Sequence, residues 1–104
     1  MDDYRKGMED RALLQILKAL AEPQRFRMIQ EITAAGELTC RELGERIRLA
    51  QPTISHHLKI LHEAGLLAVR RESRHMFISV NQGLIQRILT SLPMRAGARR
   101  RAAP

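Results

Sequence analysis

Residues 39–65, TCRELGERIRLAQPTISHHLKILHEAG, contain two helical apolar periods with room between them for only a tight turn. In the first, Thr39 and Glu42 have capping-box spacing, so a hydroxyl and a carboxylate can each satisfy a free backbone N–H at the helix start. Leu43 and Ile47 lie four apart and share an inner face with Cys40. This period ends near Leu49. Pro52 fits the first turn of a helix but not its interior, so a second helix can begin within about three residues. From about Gln51 to Ala64 that helix points Ile54, Leu58 and Leu61 inward, and Gly65 stops it. Two helices joined so closely must cross steeply, as in a helix-turn-helix.

The flanking segments fill out the architecture. RALLQILKAL, residues 11–20, places Leu13, Leu14, Ile16, Leu17 and Leu20 on one broad apolar face. AEP interrupts it, and Pro23 suits the first turn of a second helix ending at Gly36. Phe26, Ile29 and Ile32, with Met28 nearby, are expected to form that helix's buried stripe. Residues 66–80, LLAVRRESRHMFISV, hold two β-rich runs around Glu72-Ser73-Arg74 and predict a hairpin, although the turn lacks the usual Gly or Asn. NQGLIQRILTSL, residues 81–92, predicts a last helix with Asn81 as cap, Leu84 or Ile85, Ile88 and Leu92 aligned, and Pro93 as its end. The expected fold is mainly α with a small β-hairpin, a winged helix-turn-helix in the order α1-α2-α3-α4-β-β-α5. It spans residues 11–92, between an acidic segment (1–10) and a basic tail (93–104) that is expected to be disordered.

A chain of 104 residues has room for one small domain. Its net charge of +7 suits a polyanionic partner such as nucleic acid or an anionic membrane surface. Residues 1–10 carry −2 and residues 93–104 carry +4, which leaves +5 on the body. No apolar run approaches the roughly 20 residues of a membrane span. The acidic start is unlike a signal peptide, and a single cysteine suits a reducing compartment, so a cytoplasmic location is expected. No acid/base pair, Ser/His/Asp set or glycine-rich phosphate loop is present, which argues against an enzyme.

LKALAEPQRFRMIQEI, followed by GELTCRELGERIRLAQPTISHHLKILHEAGLLAVRRESRHMFISV, resembles the ArsR/SmtB family of bacterial transcriptional repressors over about residues 11–92. The resemblance implies a homodimer that binds an inverted-repeat operator and represses its own transcription. Many members release DNA on binding metal. The family's ELCVCDL motif supplies two thiolates, but here the stretch reads ELTCREL: Thr39 and Arg41 take the ligand positions and Cys40 stands between them. One thiolate beside a cation does not suit a soft metal. The family's second site, an Asp/His set on the final helix, has no counterpart between Asn81 and Leu92. No cofactor or metal is therefore expected, and Cys40 reads as a half-buried small hydrophobe. The family's redox variant needs two cysteines. The family usually has Ser or Thr where Ala50 stands, so the fourth helix lacks its cap.

Three histidines fall in that fourth helix. At about 100° per residue, His56 and His62 lie about 120° apart and His57 and His62 about 140°, so they do not converge on a metal. His57, bordering the buried stripe, reads as a packing histidine, and His62 suits the helix C-terminus. His56 faces outward. The expected DNA-binding set is Gln51, Thr53, Ser55, His56 and Lys59, with Pro52 helping to fix the entry, Gln51 able to bond adenine and Lys59 placed for a phosphate. Arg70, Arg71, Arg74 and His75 gather at the hairpin, where a wing lies along the flanking backbone or minor groove. Arg99, Arg100 and Arg101 can add non-specific affinity.

The first and last helices carry more apolar surface than so small a domain can bury alone, and in the resembled family they form the dimer interface. Leu13, Leu14, Leu17, Ile85, Ile88 and Leu89 are assigned to it. The preferred function is a DNA-binding repressor without the standard metal sites. The alternative is a ligand- or thiol-responsive repressor using Cys40 with His62 or His75 across the dimer. A protein-interaction module that has lost DNA binding would leave the basic wing idle.

Overall fold

A computed structural model describes residues 8–93. The elements run α1 (Asp10–Leu20), α2 (Pro23–Ala35), α3 (Cys40–Ile47), α4 (Gln51–Glu63), β1 (Leu67–Glu72), β2 (His75–Val80) and α5 (Gln82–Ser91). This is the winged helix-turn-helix order. Residues 1–7, most of the acidic segment, and residues 94–104, which include Arg99 to Arg101, lie outside the described residues.

Local chemistry accounts for most of the boundaries. At the α1–α2 corner the Glu22 side chain accepts from the Arg25 backbone N–H at 2.8 Å, and Pro23 occupies the first turn of α2. The capping box of α3 forms in full: Glu42 N–H donates to Thr39 Oγ1 at 3.1 Å and Thr39 N–H donates to Glu42 Oε1 at 2.9 Å. α3 ends at Ile47, two residues before the expected Leu49. There Arg48 turns left-handed (φ 63°, ψ 48°) and its N–H reaches the Gly44 carbonyl at 2.7 Å. Ala50 precedes α4 with no side-chain cap. Asn81 caps α5 by accepting from Leu84 N–H, and its amide also donates to the Gly65 carbonyl at 3.0 Å, tying the end of α4 to the start of α5.

The core runs through every element, with Met28, Ile32, Leu43, Ile54, Leu61 and Leu66 fully buried. On α2 the buried pair is Met28 and Ile32, four apart, while Phe26 is 51% exposed. This corrects the expected stripe. Phe26 and Met28 point about 200° apart on one helix, so only one of them can face the core. The unbranched Met fits that irregular space.

The hairpin pairs Leu67 with Val80 through Glu72 with His75. Ser73, not a Gly or Asn, supplies the positive φ of the turn (58°). Leu38, in the α2–α3 connection, adds a bridge to β2 that no β-rich run announces. Leu38 N–H donates to Ile78 O at 3.0 Å and Ile78 N–H to Leu38 O at 2.8 Å. That bridge pins the wing to the start of α3.

Candidate nucleic-acid interface

α4 buries Ile54, Leu58 and Leu61 and leaves Pro52, Thr53, Ser55, His56 and Lys59 exposed. At about 100° per residue, Pro52, His56 and Lys59 cluster opposite the buried stripe, forming the outward crest of the helix. Ser55 lies on the flank that faces the hairpin, and Thr53 on the other.

Gln51 is oriented differently from the expectation. Its side chain folds back over α3: Cys40 Sγ donates to Gln51 Oε1 at 3.3 Å. A Cβ placed on Gly44 would lie 2.3 Å from Gln51 Nε2. The amide thus rests where α3 has no side chain, and in this conformation it serves the turn between the helices, not a base edge. Cys40 is half-buried, as expected, and its thiol has a hydrogen-bond partner.

One guanidinium ties α4 to the end of α1 beside the core. Arg25 Nε donates to the Ala19 carbonyl at the end of α1, at 2.6 Å, and Arg25 Nη1 donates to His57 Nδ1 at 3.3 Å. With Nδ1 as acceptor, the His57 proton is assigned to Nε2. Glu22 Oε1 stands 3.9 Å from the same nitrogen. The His57 side chain is only 12% exposed, so it is a hydrogen-bonded packing residue. The His56 and His57 ring centroids are 5.7 Å apart and tilted, and His62 is exposed near the helix end. Among the described residues, no three His, Cys, Asp or Glu side chains stand together as a metal site.

The wing arginines divide by strand face. Side chains alternate along a strand, so Leu67, Val69 and Arg71 share the inner face with Met76, Ile78 and Val80. Arg70 lies on the outer face, bonded to Glu72 and, at 2.6 Å, to Glu37 Oε1, with its guanidinium 4.5 Å from the Phe77 ring centroid. Its charge is thereby neutralised locally, which sets it apart from the others expected at DNA. The Arg70 hydrogen bond is also the chief cause that holds the Glu37 carboxyl below its usual 4.5. Arg71, Arg74 and His75 are exposed, and neither Arg71 nor Arg74 pairs with an acid among the described residues.

In helix-turn-helix docking the second helix enters the major groove, and here that helix presents its outer face to solvent with cations on a hairpin beside it. Residues 20–70 match a family model described as a helix-turn-helix domain. Over 85 residues the chain is 38% identical to the uncharacterized HTH-type transcriptional regulator YceK of Bacillus subtilis, covering 81% of this chain and 85% of that protein. It is 35% identical to the arsenical resistance operon repressor of Staphylococcus xylosus, over 67% of each chain. It superposes with a TM-score of 0.66 on the homodimeric winged helix-turn-helix domain of a possible ArsR-family regulator from Mycobacterium bovis, at 22% identity, covering 79% of this chain and 82% of that one. The chain belongs to the ArsR family.

In this ArsR-family chain the positions of the family's α3 thiolates have other work. The Thr39 hydroxyl caps α3, and Arg41 pairs with Glu45 at 3.5 Å one turn on. The residues assigned to the dimer separate into two groups. Leu13 and Ile88 are buried in the chain's own core and cannot supply free apolar surface. Leu14 and Leu89 are 59% and 53% exposed, with Leu17 and Ile85 half-buried beside the core. The ends of these two helices meet where Met8 N–H donates to Ser91 Oγ at 3.2 Å.

Proposed function

We propose that this ArsR-family chain acts as a homodimeric repressor that binds an inverted-repeat operator, presenting Thr53, Ser55 and His56 of α4 to base edges and Lys59 to a phosphate, with Pro52 fixing the helix entry. The observation that carries this is the pairing of α4's exposed polar crest with a hairpin whose Arg71 and Arg74 have no acidic partner among the described residues. Arg71, Arg74 and His75 hold the phosphate backbone and set register, while α4 discriminates bases. Arg70 stiffens the wing, and Gln51 stiffens the α3–α4 turn, from which it can swing out to adenine when DNA approaches. Leu14 and Leu89 supply the exposed part of a dimer seam on α1 and α5. That seam sets two recognition helices about one helical turn of DNA apart.

The test is fluorescence anisotropy on the DNA upstream of the chain's own gene and on a shuffled duplex, across a salt series. Tighter binding to the upstream duplex, with affinity falling steeply as salt rises, is the expected result. Equal, weak binding to both would overturn the reading.

A further inference from the structure

We propose that the groove between α4 and the inner face of the hairpin binds an amphipathic anion, a carboxylate with a medium-length apolar tail. Occupation then competes with DNA. The competition rests on the reading of α4 and the wing as the DNA surface; the site itself does not.

The groove is a consequence of strand alternation. Beyond the buried Leu67 and Ile78, the inner face of the wing continues with Val69 and Met76, which overhang the core and are 44% and 40% exposed. α4 faces them with Leu58 below and Ser55, Lys59 and His62 along one flank, at spacings of four and three. Together they border an open groove of about 410 Å³, a volume within the roughly 300–1,000 Å³ typical of small-molecule sites. Apolar walls left open to water beside Lys59, His62 and Arg71 lower the free energy of any apolar tail that fills them.

The rim fixes the charge of the occupant. Lys59, His62 and Arg71 line the groove and no Asp or Glu does. Among the described residues neither Lys59 nor Arg71 forms an ion pair. A cationic rim above an apolar floor complements a carboxylate head and a hydrocarbon tail, and disfavours a cationic amphiphile of the same length. Ser55, Lys59 and Arg71 are also among the residues assigned to DNA. A carboxylate held by Lys59 and Arg71 takes those cations from the phosphates.

Monomeric sodium decanoate is the probe, titrated into the full chain without DNA and followed by calorimetry and by methyl NMR shifts of Val69 and Met76. Decanoate should bind with shifts confined to the groove, and decyltrimethylammonium should bind at least about tenfold more weakly. The double variant Val69→Ser/Met76→Ser, changed only at exposed positions outside the DNA set, should lose about tenfold in decanoate affinity, as removal of two apolar walls implies. No binding, or equal binding of both amphiphiles, overturns the site. Sedimentation with phosphatidylglycerol vesicles in the absence of decanoate binding overturns it in favour of a membrane surface. Decanoate should then release the parent chain, but not the double variant, from its duplex. Decanoate bound with DNA affinity unchanged overturns the competition. A chain that takes up decanoate but binds no DNA keeps the site and removes the DNA reading instead.

Discussion

Adjacent arginines on β1 have opposite surroundings, and the difference decides what each can do. Arg71 is unpaired with any acid among the described residues, whereas Arg70 is held by Glu37 and Glu72. Arg71→Ala should weaken binding to specific and shuffled duplex alike and make the salt slope shallower by about one unit. Arg70→Ala should leave that slope within error and speed amide exchange in the hairpin; a full unit of change would return Arg70 to the DNA face. Glu37 adds a pH dependence. Its carboxyl is lowered in the folded state, so its contribution is complete above the unfolded value near 4.5 and is lost as pH falls through the folded value. Hairpin protection factors, corrected for the intrinsic exchange rate at each pH, should therefore fall as pH drops below about 4.5, and Glu37→Gln should remove that dependence. The sequence shows a cluster of arginines at the wing. It does not show which strand face each occupies relative to Glu37, because that acid lies 33 residues upstream. Gln51 was obscured in the same way: its orientation depends on the absent side chain of Gly44.

Elements were more legible than contacts, because capping and turn chemistry is local. Thr39 with Glu42, Pro23, Asn81 and Gly36 mark their boundaries through groups no more than a few residues away. The third strand position at Leu38 was not legible, since a two-bond bridge needs no β-rich run and is created by the distant β2. Phe26 illustrates another limit: the stripes through Phe26 or Met28 share Ile29 and Ile32, and only packing chooses between them. α4 is the element whose local chemistry is incomplete, since Ala50 leaves its first N–H groups without a side-chain partner. Ala50→Ser should stabilise the chain by about 0.5–2 kcal/mol in denaturant melts. A gain below about 0.2 kcal/mol would mean that water already caps this end as well as a hydroxyl would.

For the whole molecule, the expected dimer turns on a small number of residues. Because Leu14 and Leu89 are more than half exposed, replacing them removes little from the core of one chain. Leu14→Asp/Leu89→Asp should keep the helical circular dichroism, sediment as a monomer at micromolar concentration and lose most of its affinity for a two-half-site duplex. An unchanged sedimentation coefficient would place the seam elsewhere. The six residues rest on the resembled family's use of its first and last helices as the dimer interface; periodicity then marks the apolar side of each helix but not how much of it the chain covers itself. Leu13 and Ile88 were on the right side and already in use. The link between α1 and α4 is not visible in the sequence. Arg25 bonds at one end to the Ala19 carbonyl of α1 and at the other to His57 in the middle of the recognition helix. In the proposed dimer joined through α1, that side chain adds a polar strut, beside the shared apolar core, between the seam and the reading head. A chain with a shorter side chain at position 25 should then be a more forgiving ruler, its two reading heads tolerating half-sites set one base pair nearer or farther apart.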